Sequence, residues 1–92
     1  MPRKHITVSG RVQGVGLRYH VNHLAQAYRL TGWVCNLDSG EVAIEVQGYP
    51  EAIDKFLSQL GKGTLFIRID DMEIEDREEI PESVFEVKHE LP

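Results

Sequence analysis

The run Gly10-Arg11-Val12-Gln13-Gly14-Val15-Gly16-Leu17-Arg18 combines backbone freedom with a fixed positive charge, the pairing needed to hold a phosphate. Glycines at 14 and 16 open conformations closed to residues with a Cβ, so consecutive amide N–H groups can converge on one point. A helix beginning near Leu17 adds its own unpaired N–H groups and the positive end of its dipole. Arg18 then offers a planar, permanently charged fork to phosphate oxygens. Two better-known glycine motifs do not fit. A dinucleotide fingerprint would need a third glycine where this chain has Tyr19, and the nucleotide-hydrolase loop needs a Gly-Lys-Ser/Thr ending that occurs nowhere. Read alone, the segment is either an anion site or an ordinary glycine-rich connection carrying a surface arginine.

Gly32-Trp33-Val34-Cys35-Asn36 is the second segment with chemical potential. In an extended strand Val34 and Asn36 point one way and Trp33 and Cys35 the other, so polar Asn36 projects from the same face as a core residue. A carboxamide there can hold a water with one group and donate to a ligand with the other; it can equally open the turn at Asp38-Ser39-Gly40. Other constellations carry less. His20 and His23 share a helix side but have no neighbouring Cys, Asp or Glu to complete a metal set, and read as solvated. Cys35 is no phosphatase nucleophile, because the cysteine-phosphatase loop needs an arginine where this chain has Glu41; it reads as an inert buried thiol. The carboxylates from Asp70 to Glu79 lack calcium-loop spacing and read as a solvated edge strand that discourages sheet-to-sheet association.

The elements that must position these residues follow from periodicity. Ile6, Val8 and Val12 alternate with polar residues, predicting a strand from Lys4 to Val12. Val21, Leu24, Ala25 and Tyr28 then make the stripe of an amphipathic helix over Arg18–Leu30. Thr31–Leu37 and Val42–Gln47 form a hairpin about Asp38-Ser39-Gly40. Pro50 opens a second helix with the stripe Ile53, Phe56, Leu57 and Leu60, ended by Gly61 and Gly63. A strand over Ile67–Asp76 slips phase between Ile69 and Met72, which predicts a β-bulge near Asp70-Asp71. The acidic linker Arg77–Ser83 leads to a short strand, Val84–Lys88. The order βαββαβ plus a short terminal strand gives an α+β class: a ferredoxin-like split βαβ sandwich, two helices packed on one face of an antiparallel sheet.

With 92 residues the chain is expected to be a single domain, 1–92, burying roughly 60–70 % of its unfolded surface around one core. One cysteine, and a start (Met-Pro-Arg-Lys) without an apolar run, point to the cytoplasm. No stretch approaches the ~20 apolar residues of a membrane span. Ten basic against fifteen acidic residues, a net charge of −5, disfavour nucleic acid or an anionic membrane as partner. An anionic small ligand therefore needs a local positive cluster, for which Arg11, Arg18 and the loop amides are the candidates.

Together the two segments resemble the acylphosphatase family, whose signatures are a Gly-x-Val-Gln-Gly-Val-x-Phe-Arg loop and a Gly-Trp-Val-x-Asn strand. The matched spacing, Gly40, Gln47-Gly48 and the acidic final strands extend the resemblance over essentially the whole chain. Leu17 departs from the usual phenylalanine, which alters packing beneath the loop but removes no charge or donor. The resemblance implies hydrolysis of small acyl phosphates to a carboxylate and inorganic phosphate, without metal or other cofactor. It implies Arg18 and Asn36 as catalytic residues, with the phosphoryl group held by backbone amides of Gln13, Gly14, Val15, Gly16, Leu17 and Arg18. Inorganic phosphate or sulfate is expected to fit the same loop, and a small acidic domain of this kind is expected to be a monomer. Two alternatives stay open: a binding or regulatory module of the same fold with little turnover, and an excised acylphosphatase-like domain of a hydrogenase-maturation carbamoyltransferase. The end at Pro92 without zinc-finger cysteines argues for a free-standing protein.

Overall fold

Strand β1 (Arg3–Arg11) buries Ile6 and Val8 completely and pairs on both sides, so it lies inside the sheet rather than at its edge. A computed structural model describes residues 1–92. Helix α1 (Leu17–Ala27) follows, with Val21 and Ala25 buried and Leu24 and Tyr28 packed at the margin, the stripe its periodicity predicts. It stops short of Leu30. The Arg29 backbone is left-handed (φ 56°), and the N–H groups of Arg29 and Leu30 return to the carbonyls of Gln26 and Ala25. This is a Schellman closure, which satisfies two terminal carbonyls and turns Leu30 into the core. Side-chain pattern alone does not reveal it, because arginine at that position is unfavourable by about 1 kcal/mol.

Strands β2 (Thr31–Asn36) and β3 (Val42–Gln47) form the predicted hairpin. Helix α2 (Pro50–Lys62) has proline in its first turn and buries Ile53, Phe56 and Leu60. Gly61 lies inside this helix rather than ending it; termination falls to Gly63, whose φ of 64° breaks the helical path. In β4 (Arg68–Arg77) the predicted bulge is present: Ser9 faces Asp71 and Gly10 faces Ile69, leaving Asp70 as the extra residue. Ile74 remains 46 % exposed, because β4 is an edge strand and α2 does not cover its far end.

The sheet order is β4-β1-β3-β2-β5, with β5 (Phe85–Lys88) on the second edge. Two helices on one face of a five-stranded sheet make the expected ferredoxin-like sandwich, but the sheet is mixed, not antiparallel. β5 runs parallel to β2 because the acidic linker crosses the whole end of the sheet before the strand starts. Arg3, only 2 % exposed, anchors that crossing through ion pairs with Glu82 and Glu45. Gln47 binds Ile80 twice, donating from Nε2 to its carbonyl (2.8 Å) and accepting its N–H at Oε1 (3.0 Å). The core lies between the helices and the face bearing Ile6, Val8, Val34, Ile44 and Val46; Trp33, Cys35 and Ala43 make a small cluster on the opposite face.

Candidate functional site

Strand register fixes where the two motifs meet. Val8 faces Val42, and Val42 faces Asn36, so Asn36 sits in the same row as the last turns of β1 and at the same end as the loop after it. That loop turns through Gly14 (φ 73°) and Gly16 (φ 82°). A Cβ at either would meet nothing within 4 Å, so the requirement for glycine is conformational and not a matter of space. Gly16 is the N-cap of α1, and having no side chain it caps no amide; the first turn holds no acidic residue either. The first α1 amides and the positive end of the helix are thereby left for an anion.

Gly14, Gly16, Leu17, Arg18 and Asn36 line one cavity of about 380 Å³. Leu17 is a core residue, 2 % exposed, and forms its floor with Val12. Asn36 is half-buried, and its Oδ1 is a buried acceptor without a hydrogen-bond partner in the protein. Leaving such a group unpaired costs on the order of 1–3 kcal/mol, so the position is not one that folding alone would favour. The residue that carries this oxygen lines the same cavity as the glycine loop.

Gln13 and Val15 do not line the cavity. Val15 packs at the margin of the core. Gln13 instead ties the loop to the β2–β3 turn, its Nε2 donating to the carbonyls of Leu37 and Glu41, both at 2.8 Å. Arg11 lies elsewhere, beside Lys62 and Arg68 in a separate hollow, so the local positive charge is Arg18 with the amides alone. His20 is half-buried rather than fully solvated. Its Nε2 is buried without a partner, and burial, helped by the nearby His23 charge, lowers its pKa below the ordinary histidine value. His23 is exposed and stacks on Tyr19, with ring centroids 6.4 Å apart. Cys35 is buried on the opposite face from Val34, as alternation requires.

Four further residues complete the cavity wall: Tyr19 and Asn22 on α1, Val87 and His89 at the β5 side. Asn22 lies one turn after Arg18 and was accessible to sequence reasoning by its i+4 spacing. Val87 and His89 were not, because they reach the site only through the parallel pairing of β5 with β2.

Sheet order, the uncapped glycine start of α1 and an arginine and asparagine sharing its cavity define a class: a small two-layer α+β protein with a polar cavity beside a glycine loop at one end of its sheet. The family model for acylphosphatase matches residues 4–87. The acylphosphatase of Geobacillus thermodenitrificans (strain NG80-2) is 48 % identical over 82 residues, covering 89 % of this chain and 87 % of that protein. The crystal structure of acylphosphatase from Bacillus subtilis superposes with a TM-score of 0.92 at 33 % identity, covering 97 % of this chain and 100 % of that one. Full-length HypF, in a phosphate- and nucleotide-bound form, contains a similar region: TM-score 0.88, 32 % identity, 95 % of this chain but 12 % of HypF. The chain belongs to the acylphosphatase family. It is a hydrolase with acylphosphatase activity, whose substrate is a small acyl phosphate. None of its helices is long and apolar enough to cross a membrane.

Proposed function

We propose that the cavity hydrolyses acyl phosphates with the phosphoryl group held by backbone amides between Gln13 and Arg18, its charge neutralised by Arg18, and the attacking water oriented by Asn36. The observation that carries the reading is the convergence on one cavity of an uncapped helix start, a guanidinium and an unpartnered buried carboxamide oxygen. Water attacks phosphorus, the bond from phosphorus to the acyl oxygen breaks, and a carboxylate leaves with the bonding pair. The conjugate acid of that carboxylate has a pKa of about 4–5, so departure needs no general acid. The water's proton passes to a phosphoryl oxygen. The enzyme's share is then positioning and stabilisation of charge on the equatorial oxygens, which amides and one guanidinium supply without a metal. We further place the enzyme in the cytoplasm as a single-domain monomer, a reading that draws on its one buried thiol and acidic surface.

Phosphate release from benzoyl phosphate in the presence of chelator tests this. Activity should survive chelation and fall by at least ~10²-fold in Asn36→Ala and Arg18→Gln, the loss associated with one oriented donor. A folded Asn36→Ala with near-normal turnover would remove the water-orienting role. The likeness to a short region of HypF favours, as a second reading, a phosphate-binding module of a longer protein. Phosphate binding without turnover in the unaltered protein would select it.

A further inference from the structure

The cavity is larger than a phosphoryl group requires. Its 380 Å³ corresponds to about a dozen water molecules at ~30 Å³ each, while a phosphoryl group contributes only a few heavy atoms. The surplus has a direction. Helix α1 runs away from the loop, so Asn22 continues the wall one turn beyond Arg18. On the other side β5 runs parallel to β2 with Val34 beside Val87, so Phe85, Val87 and His89 share the face of Val34 and Asn36. The result is a groove leading from the anion-binding loop between α1 and an edge strand.

Resting on the functional reading above, we propose that this groove seats the acyl group, accepts an uncharged and largely apolar one, and discriminates against acyl groups that carry a carboxylate of their own. Val87 and Tyr19 present apolar surface that the fold leaves open, at 41 % and 77 % exposure, and the Tyr19 ring is steadied by its stack on His23. Burying such surface against a ligand is favourable, and a flat or hydrocarbon acyl group supplies the complement. The fixed charges point the same way. Arg18 is the only Lys or Arg side chain on the groove and is committed to the phosphoryl group. The adjoining hollow, which shares Asn36 and His89 with the groove, contributes two carboxylates, Asp38 and Glu90. A second negative charge on the acyl group would meet repulsion there and no second Lys or Arg.

The test compares benzoyl phosphate with 4-carboxybenzoyl phosphate, which share a ring and differ in one carboxylate. The unaltered enzyme should show kcat/KM at least about tenfold lower for the carboxylated compound. Val87→Lys should narrow that gap by about fivefold, chiefly through KM, the worth of an exposed ion pair. Asn22→Lys on the facing helix should do the same and serves if β5 does not tolerate the lysine. Equal kcat/KM for the two compounds, or a gap that neither lysine changes, overturns this proposal while leaving the acylphosphatase reading intact. Hydrolysis of neither compound overturns both.

Discussion

Gln13 illustrates how one side chain can serve a site it does not line. Its two donated hydrogen bonds to Leu37 and Glu41 clamp the glycine loop to the turn that follows Asn36. The glycine loop and the strand end bearing Asn36, the two halves of the proposed site, are thus tied to one another by a group outside the cavity. Gln13→Glu should be informative, because a carboxylate of the same reach cannot donate to two carbonyls. We expect turnover to fall by roughly tenfold or more, since small misplacements of reacting groups carry penalties up to about 10²-fold. Folding stability should drop by about 1–3 kcal/mol, the worth of two part-buried hydrogen bonds at about 0.5–1.5 kcal/mol each. Steady-state kinetics beside urea denaturation would check both. Turnover equal to that of the unaltered enzyme would show that the loop holds its place without the clamp. The family position usually held by phenylalanine is filled here by Leu17, fully inside the core below the loop; the substitution changes packing and leaves the site's charge and donors untouched.

Among the elements, β5 is the one whose placement decides most and whose own sequence says least. It is four residues long, sits at an edge, and buries only Phe85. Its partner is chosen by the crossing segment, held through Arg3–Glu82 and the two hydrogen bonds between Gln47 and Ile80. Gln47→Leu keeps the side chain's size but deletes both hydrogen bonds to that segment. The expected outcome is faster amide hydrogen exchange in Phe85–Lys88 with little change in β1 and β3, because edge elements open locally before the core does. Exchange unchanged in β5 would assign its anchoring to Arg3 alone. The edge strand at the other side, β4, is guarded differently: Asp70, Glu75 and Asp76 stand on its exposed surface in ion pairs with Arg68, Arg77 and Lys4. Such exposed pairs add little stability, but the charges oppose pairing with another sheet.

For the molecule as a whole, two groups make stability depend on acidity in the same direction. Burial opposes the charged form of Glu45, but hydrogen bonds from His5 and Arg3 outweigh it, and its pKa lies below the ordinary carboxylate value. The resulting stabilisation is complete above about 4.5 and is lost as pH falls through the lowered value. His20, held neutral by burial and by His23, also has a pKa below its ordinary value near 6.5. The unfolded chain therefore takes up that proton first, and stability declines as pH falls below ~6.5. Urea denaturation between pH 8 and pH 3 should show the unfolding free energy falling in two stages, first below ~6.5 and then below ~4.5. His20→Gln should flatten the first stage and leave the second. A free energy that is constant from pH 7.5 to pH 5.5 would contradict the lowered pKa of His20.

Much of the fold was legible because its elements are short and strongly periodic. The stripes Val21-Ala25 and Ile53-Phe56-Leu60, the alternation in β1 and β3, and the phase slip that marks the bulge at Asp70 are all local signals. The glycine loop was legible for the same reason: left-handed turns at Gly14 and Gly16 and the start of α1 are consequences of neighbouring residues. What tertiary structure alone decided is what depends on residues far apart in the chain. The mixed character of the sheet follows from where the crossing segment is anchored, and with it come Val87 and His89 as walls of the cavity. The end of α1 at Ala27, the partial burial of His20 and the clamp from Gln13 likewise depend on contacts that no local pattern encodes. By itself the sequence determined a glycine loop that opens a helix bearing Arg18 and a strand that ends on Asn36, the pair we propose as the phosphate site. Only the packed sheet decided which strand closes that site, because strand order is set by long-range pairing and not by the periodicity of any one strand.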